Sequence, residues 1–147
     1  MPPDTLLALI QADATALALA QAGDDTACAA RCSALAPPVL QAAMVTERTI
    51  FWLYADPTDA ETVLQTIAAV AEVNPIVKRV LAWLQPYAGG VDLGDARVRA
   101  LLVAPVEAGG IGLAPALAAP LLAAGEAPVV ITAADVGAAL IPLRTGA

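Results

Sequence analysis

The sequence predicts an all-α fold: a single compact domain, residues 1–147, of about six or seven short helices. Three observations carry this. The composition is dominated by 37 alanines, with aromatics at 3%, so the apolar interior is built from Ala, Leu, Val and Ile. Apolar residues recur at helical spacing in the middle of the chain. Acidic, Asn or Thr residues, followed by Pro at Asp56 and Asn74, recur along the chain as helix starts. A length of 147 residues fits one domain.

Element by element, Asp4 is placed to cap a first helix carrying Leu6, Leu7, Leu9 and Ile10. Asp13 opens an Ala-rich stretch to Ala22, either as a continuation or as a second helix. Gly23 ends it, and Asp24 or Asp25 caps Thr26 to Leu35, which Pro37-Pro38 stops. Val39 to Val45 fits a short helix or an extended connector. Thr46-Glu47 begins the aromatic segment Ile50-Phe51-Trp52-Leu53-Tyr54.

Asp56-Pro57-Thr58-Asp59 is a strong helix start, and Val63, Leu64, Ile67, Val70 and Ala71 then form one buried stripe. Asn74-Pro75 repeats the device for a second stripe of Ile76, Val77, Val80, Leu81 and Leu84. Pro86 to Gly94 reads as a turn region. Asp92 is placed to cap a helix over Leu93 to Val103, with Val98, Leu101 and Leu102 inward and an Asp95–Arg99 pair at i, i+4. Gly109-Gly110 ends that helical unit. Leu113 to Ala124 is helix-like but interrupted by Pro115 and Pro120. Val129 to Ile131 fits a lone extended segment. Thr132-Ala133-Ala134-Asp135 matches a capping box for a last helix ending near Leu140, before Pro142.

Residue chemistry argues against an enzyme. With no histidine and Ser33 as the only serine, a Ser-His-Asp triad is excluded, and no imidazole activates Cys28 or Cys32. Two thiols four residues apart share a helix face and read as buried free cysteines without a metal. No phosphate-binding glycine loop or calcium loop is present, and no cofactor is expected. The carboxylate pairs Asp24/Asp25, Asp56/Asp59 and Asp92/Asp95 each stand at a helix start, where capping explains them. A net charge of −7 with scattered bases disfavours nucleic acid. No stretch reads as a membrane span, and the start, Met1-Pro2-Pro3-Asp4, lacks the basic region of a secretory signal.

The aromatic residues remain. Five consecutive large apolar residues, Ile50 to Tyr54, wrap about 500° around a helix at about 100° per residue, so they do not share one inward face. Arg48, Phe51, Trp52, Tyr54, Trp83 and Tyr87 are therefore the candidate partner contacts, either filling the core or anchoring an interface where Trp, Tyr and Arg concentrate.

Three stretches also carry a family resemblance. Asp13 with its Ala/Leu run, Ala22-Gly23-Asp24-Asp25 and Ala29-Ala30-Arg31 form the first. Val80 to Leu84, Gly89 to Asp92 and Val98 to Leu102 form the second, and Pro128 to Val136 the third. Together they resemble small Ala-rich proteins of the structural modules of tailed phages and prophages. The resemblance implies a non-enzymatic virion or virion-assembly protein, at the head–tail connection or in the tail. Its partners would be other virion proteins or copies of itself in an oligomeric assembly, and no catalytic residue is carried over. The alternative is a helical adaptor or regulatory module of the bacterial cytoplasm.

Overall fold

The computed structural model describes residues 1–146 and is dominated by helix. Its elements are α1 (Pro3–Ala12), α2 (Ala14–Gln21), α3 (Asp25–Leu35), β1 (Val39–Leu40), β2 (Met44–Val45), α4 (Glu47–Phe51), α5 (Pro57–Ala71), α6 (Pro75–Leu84), β3 (Val91–Asp92), α7 (Ala96–Val103), a 3-10 turn (Val106–Ala108), α8 (Pro115–Ala124), β4 (Glu126–Ala127), α9 (Ala133–Ala139) and α10 (Ile141–Thr145). The two-residue strands pair as β1–β4 and β2–β3. The ten α-helices among the described residues exceed the six or seven expected. Prolines account for much of the difference. Pro115 and Pro142 stand in the first turn of α8 and α10, where a missing N–H costs nothing, so they begin helices instead of breaking them. Among the described residues only Pro120 lies beyond the first turn of a helix.

The helices form two compact units, each with its own core. The first comprises Met1–Val39 and the chain from Pro128 onward. Its core is made of Leu6, Ile10, Cys28, Cys32, Ile131, Val136 and Leu140 with Ala16, Ala20, Ala29 and Ala139 between them. Alanine at the contacts lets helix axes approach closely, which is how so small a set of large side chains fills the interior. Asp13 separates α1 from α2: its carboxylate accepts from Ala16 N–H at 2.8 Å and holds Arg31 in a fork at 2.8 and 3.1 Å. The guanidinium and then the amide hold this carboxyl down at about 2. The start of α1 differs from expectation, with Pro2 at the cap and Asp4 in the first turn. The segment between Pro128 and Thr132 forms no ladder; Ser33 Oγ secures it, accepting from Ile131 N–H at 2.9 Å and donating to Ala29 C=O at 2.9 Å. The Thr132/Asp135 capping box opens α9 as the sequence predicts.

The second unit is Leu40–Ala127. Its core centres on the α5 stripe, Val63, Ile67 and Val70, against Val77, Val80 and Leu84 of α6. Ile50, Val91, Leu102, Ile111, Leu113 and Leu121 complete it. Asp56 and Asn74 cap α5 and α6 through their side chains. The ambiguous Val39–Val45 stretch is extended, and β2 pairs antiparallel with β3 as Met44↔Asp92 and Val45↔Val91.

The expectations for Asp92 and for the Asp95–Arg99 pair fail in this unit. Asp92 does not cap a helix: it accepts from Ala43 N–H and Gly94 N–H, both at 2.8 Å, and so fastens the β2–β3 ladder. Asp95 caps α7 instead, accepting from Arg97 N–H at 2.8 Å, and its carboxylate forks with the Arg97 side chain rather than with Arg99. Arg99 turns inward. It donates to Leu122 C=O at 2.7 Å and to Leu93 C=O at 3.3 Å, and it pairs with Glu126. The reason lies on another helix: the carbonyls at the end of α8 attract a cation, and Arg99 lies within their reach. Three backbone strands cross tightly here. A Cβ on Gly94 would stand 2.0 Å from Gln41 C=O, and one on Gly125 would stand 2.1 Å from Leu93 C=O.

Candidate functional site

The aromatic segment is shaped by where α4 stops. Thr46 begins the helix, with Thr49 Oγ1 accepting Thr46 N–H at 2.6 Å. Only five residues later the helix ends, and Trp52 and Leu53 close it with turn hydrogen bonds to Thr49 and Ile50. Ile50 and Tyr54 stand four residues apart and face inward, with Tyr54 only 9% exposed. Tyr54 Oη donates to Leu117 C=O of α8 at 2.5 Å, and burial pushes its phenol up to about 12. Tyr54 is thus a core residue, not a surface contact.

Phe51 and Trp52 face outward, at 37% and 78% exposure. With Glu47, Arg48, Leu64 of α5 and Pro86 they enclose an open hollow of about 400 Å³. Glu47 is fixed by Gln85 Nε2, which donates to it at 2.7 Å. Arg48 is exposed at the edge and takes no part in an ion pair among the described residues. A large indole left in water beside a free guanidinium is the composition found at the centre of protein interfaces.

Trp83 occupies a different place. It is 47% exposed and lines a groove of about 300 Å³ between α6 and α7 with Ile76, Val80, Val98 and Leu101. The Asp95–Arg97 ion pair borders this groove. Ile76, expected on the buried stripe, is 64% exposed here, because α6 turns only its Val77, Val80 and Leu84 side fully inward. Tyr87 stands alone and fully exposed in the turn after α6, in the left-handed region at φ +71°.

Of the six sequence candidates, then, Arg48, Phe51 and Trp52 are brought together and Trp83 marks a second surface. Leu64, Pro86, Ile76, Val98 and Leu101 were not singled out as contact residues by the sequence. Their exposure depends on which neighbour covers each helix, and periodicity alone does not show that.

The remaining chemistry-bearing groups have local roles. Asp24 caps α3 through Ala27 N–H at 3.0 Å, and Asp25 forks with Arg144 at 2.6 and 3.1 Å, which lowers its carboxyl. Both cysteines are free and buried. Cys28 Sγ contacts Ala16 C=O at 3.4 Å, and burial, with Cys32 beside it, pushes the thiol up to about 11. Burial raises Cys32 as well. Thiols so shifted stay protonated near neutral pH and are poor nucleophiles. Among the described residues no three or more Cys, Asp or Glu side chains are grouped to hold a metal ion, and no helix is long and apolar enough to cross a membrane. Comparison with known proteins finds no matching family model, no matching curated protein and no matching solved structure.

Proposed function

We propose that this chain is a non-enzymatic structural or assembly protein that acts through protein–protein contacts, as a component of the head–tail connection or tail of a tailed phage. The observation that supports this reading is Trp52, held outward over a hollow shared with Phe51, Leu64 and Pro86, with Arg48 at its edge. An exposed indole and phenyl ring keep apolar area in water that a partner would cover, at about 25 cal/mol per Å² removed. The short helix and its turn hydrogen bonds fix the backbone that presents both rings, so little backbone order remains to be imposed on binding. The tailed-phage setting comes from the resemblance of the Ala-rich segments.

The experiment is association with head–tail and tail proteins of a tailed phage, measured by light scattering after size exclusion. Trp52→Ser is expected to weaken or abolish the complex while far-UV circular dichroism keeps its helical signal. A complex of unchanged affinity in a folded Trp52→Ser protein would refute the reading.

A further inference from the structure

We infer that the first unit is a separately opening part of the molecule: the chain from Pro128 through α9 is a strap that closes it, and when the strap leaves, α1, α2 and α3 open with it while the second unit stays folded. The inference does not depend on the reading of the Trp52 surface.

The apolar cores set the order of opening. Among the described residues the second unit buries fifteen side chains of valine size or larger, from Val45 to Leu121. The first buries five, Leu6, Ile10, Ile131, Val136 and Leu140, and fills the rest of its core with two thiols and five alanines. That is one third as many, in a unit about two-thirds as long. Burial stabilises in proportion to the apolar area removed from water, so the alanine-rich core is the weaker one. A unit of about 60 residues is also marginal by size alone. No buried residue belongs to both cores, so neither loses a member when the other opens.

The chain path decides what leaves. The second unit closes on itself: Gln41 N–H donates to Gly125 C=O at 3.0 Å and Gln41 Nε2 to Glu126 C=O at 3.0 Å, so its two ends are tied by bonds of its own. The first unit is built from two separate stretches of chain, and Ile131, Val136 and Leu140 of its core come from the second stretch. That stretch is held at its entry by Ser33 Oγ, which accepts from Ile131 N–H. It ends in α10, which buries no residue and is fastened by the Arg144–Asp25 fork. Without the strap, Leu6 and Ile10 are the large core side chains left to hold helices of 10, 8 and 11 residues. Helices so short do not persist alone in water. Opening therefore uncovers Cys28 and Cys32, which the closed unit buries, while the helices of the second unit and the Trp52 surface keep their form.

Hydrogen exchange of the full chain in rising urea, read by mass spectrometry on peptides, tests this. The amides of α1, α3 and α9 are expected to lose protection together, at lower urea than those of α5 and α6. Cys28 and Cys32 are expected to become open to an aromatic disulfide reagent over the same interval. Arg144→Gln, which removes an exposed ion pair, is expected to speed exchange in α3 and α9 about two- to five-fold and to leave α5 and α6 unchanged. Ile10→Ala empties part of the first core and is expected to speed it more than about ten-fold. If the first unit of that variant does not fold at all, α5 and α6 are still expected to keep their wild-type protection. A single transition in which every helix and both thiols open together would overturn the inference, as would an Ile10→Ala chain whose α5 and α6 lose protection along with α1. Exchange in α9 while α1 and α3 stay protected would overturn it too, because the strap would then close nothing.

Discussion

Removing the Tyr54 hydroxyl separates the two roles that an aromatic residue in this segment could have. Tyr54→Phe keeps the ring, so the core around α4 and α8 stays filled and no cavity term arises. The loss is the hydrogen bond to Leu117 C=O, worth about 0.5–1.5 kcal/mol net. Tyr54→Ala removes the ring as well and is expected to cost about 3–5 kcal/mol. For a chain of this size that difference moves a thermal midpoint by about 2–4 °C per kcal/mol, well within reach of circular dichroism melting. The hydroxyl also sets a pH dependence. Burial raises the phenol from 10.0 to about 12, so above pH 10 the unfolded chain ionises while the folded one does not. The unfolded state then holds fewer protons, and wild-type stability falls as pH rises from 10 toward 12. Tyr54→Phe lacks this loss, and its disadvantage is expected to shrink over the same interval. A Tyr54→Phe loss as large as that of Tyr54→Ala, or an alkaline response identical to wild type, would refute the placement of the hydroxyl. Weakened association in Tyr54→Phe with stability unchanged would return Tyr54 to the surface.

Ile67→Ala, at the centre of the α5 stripe, is expected to destabilise by about 2–5 kcal/mol in urea unfolding; a loss under 1 kcal/mol would contradict its burial. Gly94→Ala forces a methyl group to within 2.0 Å of Gln41 C=O and is expected to cost about 1–3 kcal/mol, read by the same assay. In acid, the Asp13 and Asp95 carboxyls are held down from 3.8 to about 2, first by their arginine partners and then by the capped amides. The stability they contribute is complete above about pH 4 and is lost as pH falls through about 2, and Asp13→Ala should remove its share of that acid transition in a pH titration of unfolding.

Much of the fold is legible where one residue settles a local question. Asp13, Asp24, Asp56, Asn74 and Thr132 each cap a helix through the side chain, and Val63, Ile67 and Val70 face the core at their helical spacing. Legibility ends where a choice depends on a distant partner. Asp92 reads as the cap in sequence, but β3 claims it by pairing with β2, and Asp95 caps α7 in its place. Arg99 is an i+4 partner for Asp95 until the end of α8 offers its carbonyls. That part of the segment Ile50 to Tyr54 faces outward follows from wrapping alone. Which of the five does so depends on α4 ending at Phe51. The groove beside Trp83 exists only once α7 lies against α6, so no single segment announces it.

The central claim is that Trp52 is an anchor for another protein. Its most direct test is the solution mass of the wild-type and Trp52→Ser chains, each mixed with the head–tail and tail proteins proposed as its partners. The account predicts a larger complex for the wild type and its loss in a Trp52→Ser protein of unchanged helix content. Equal masses in the two mixtures would contradict it.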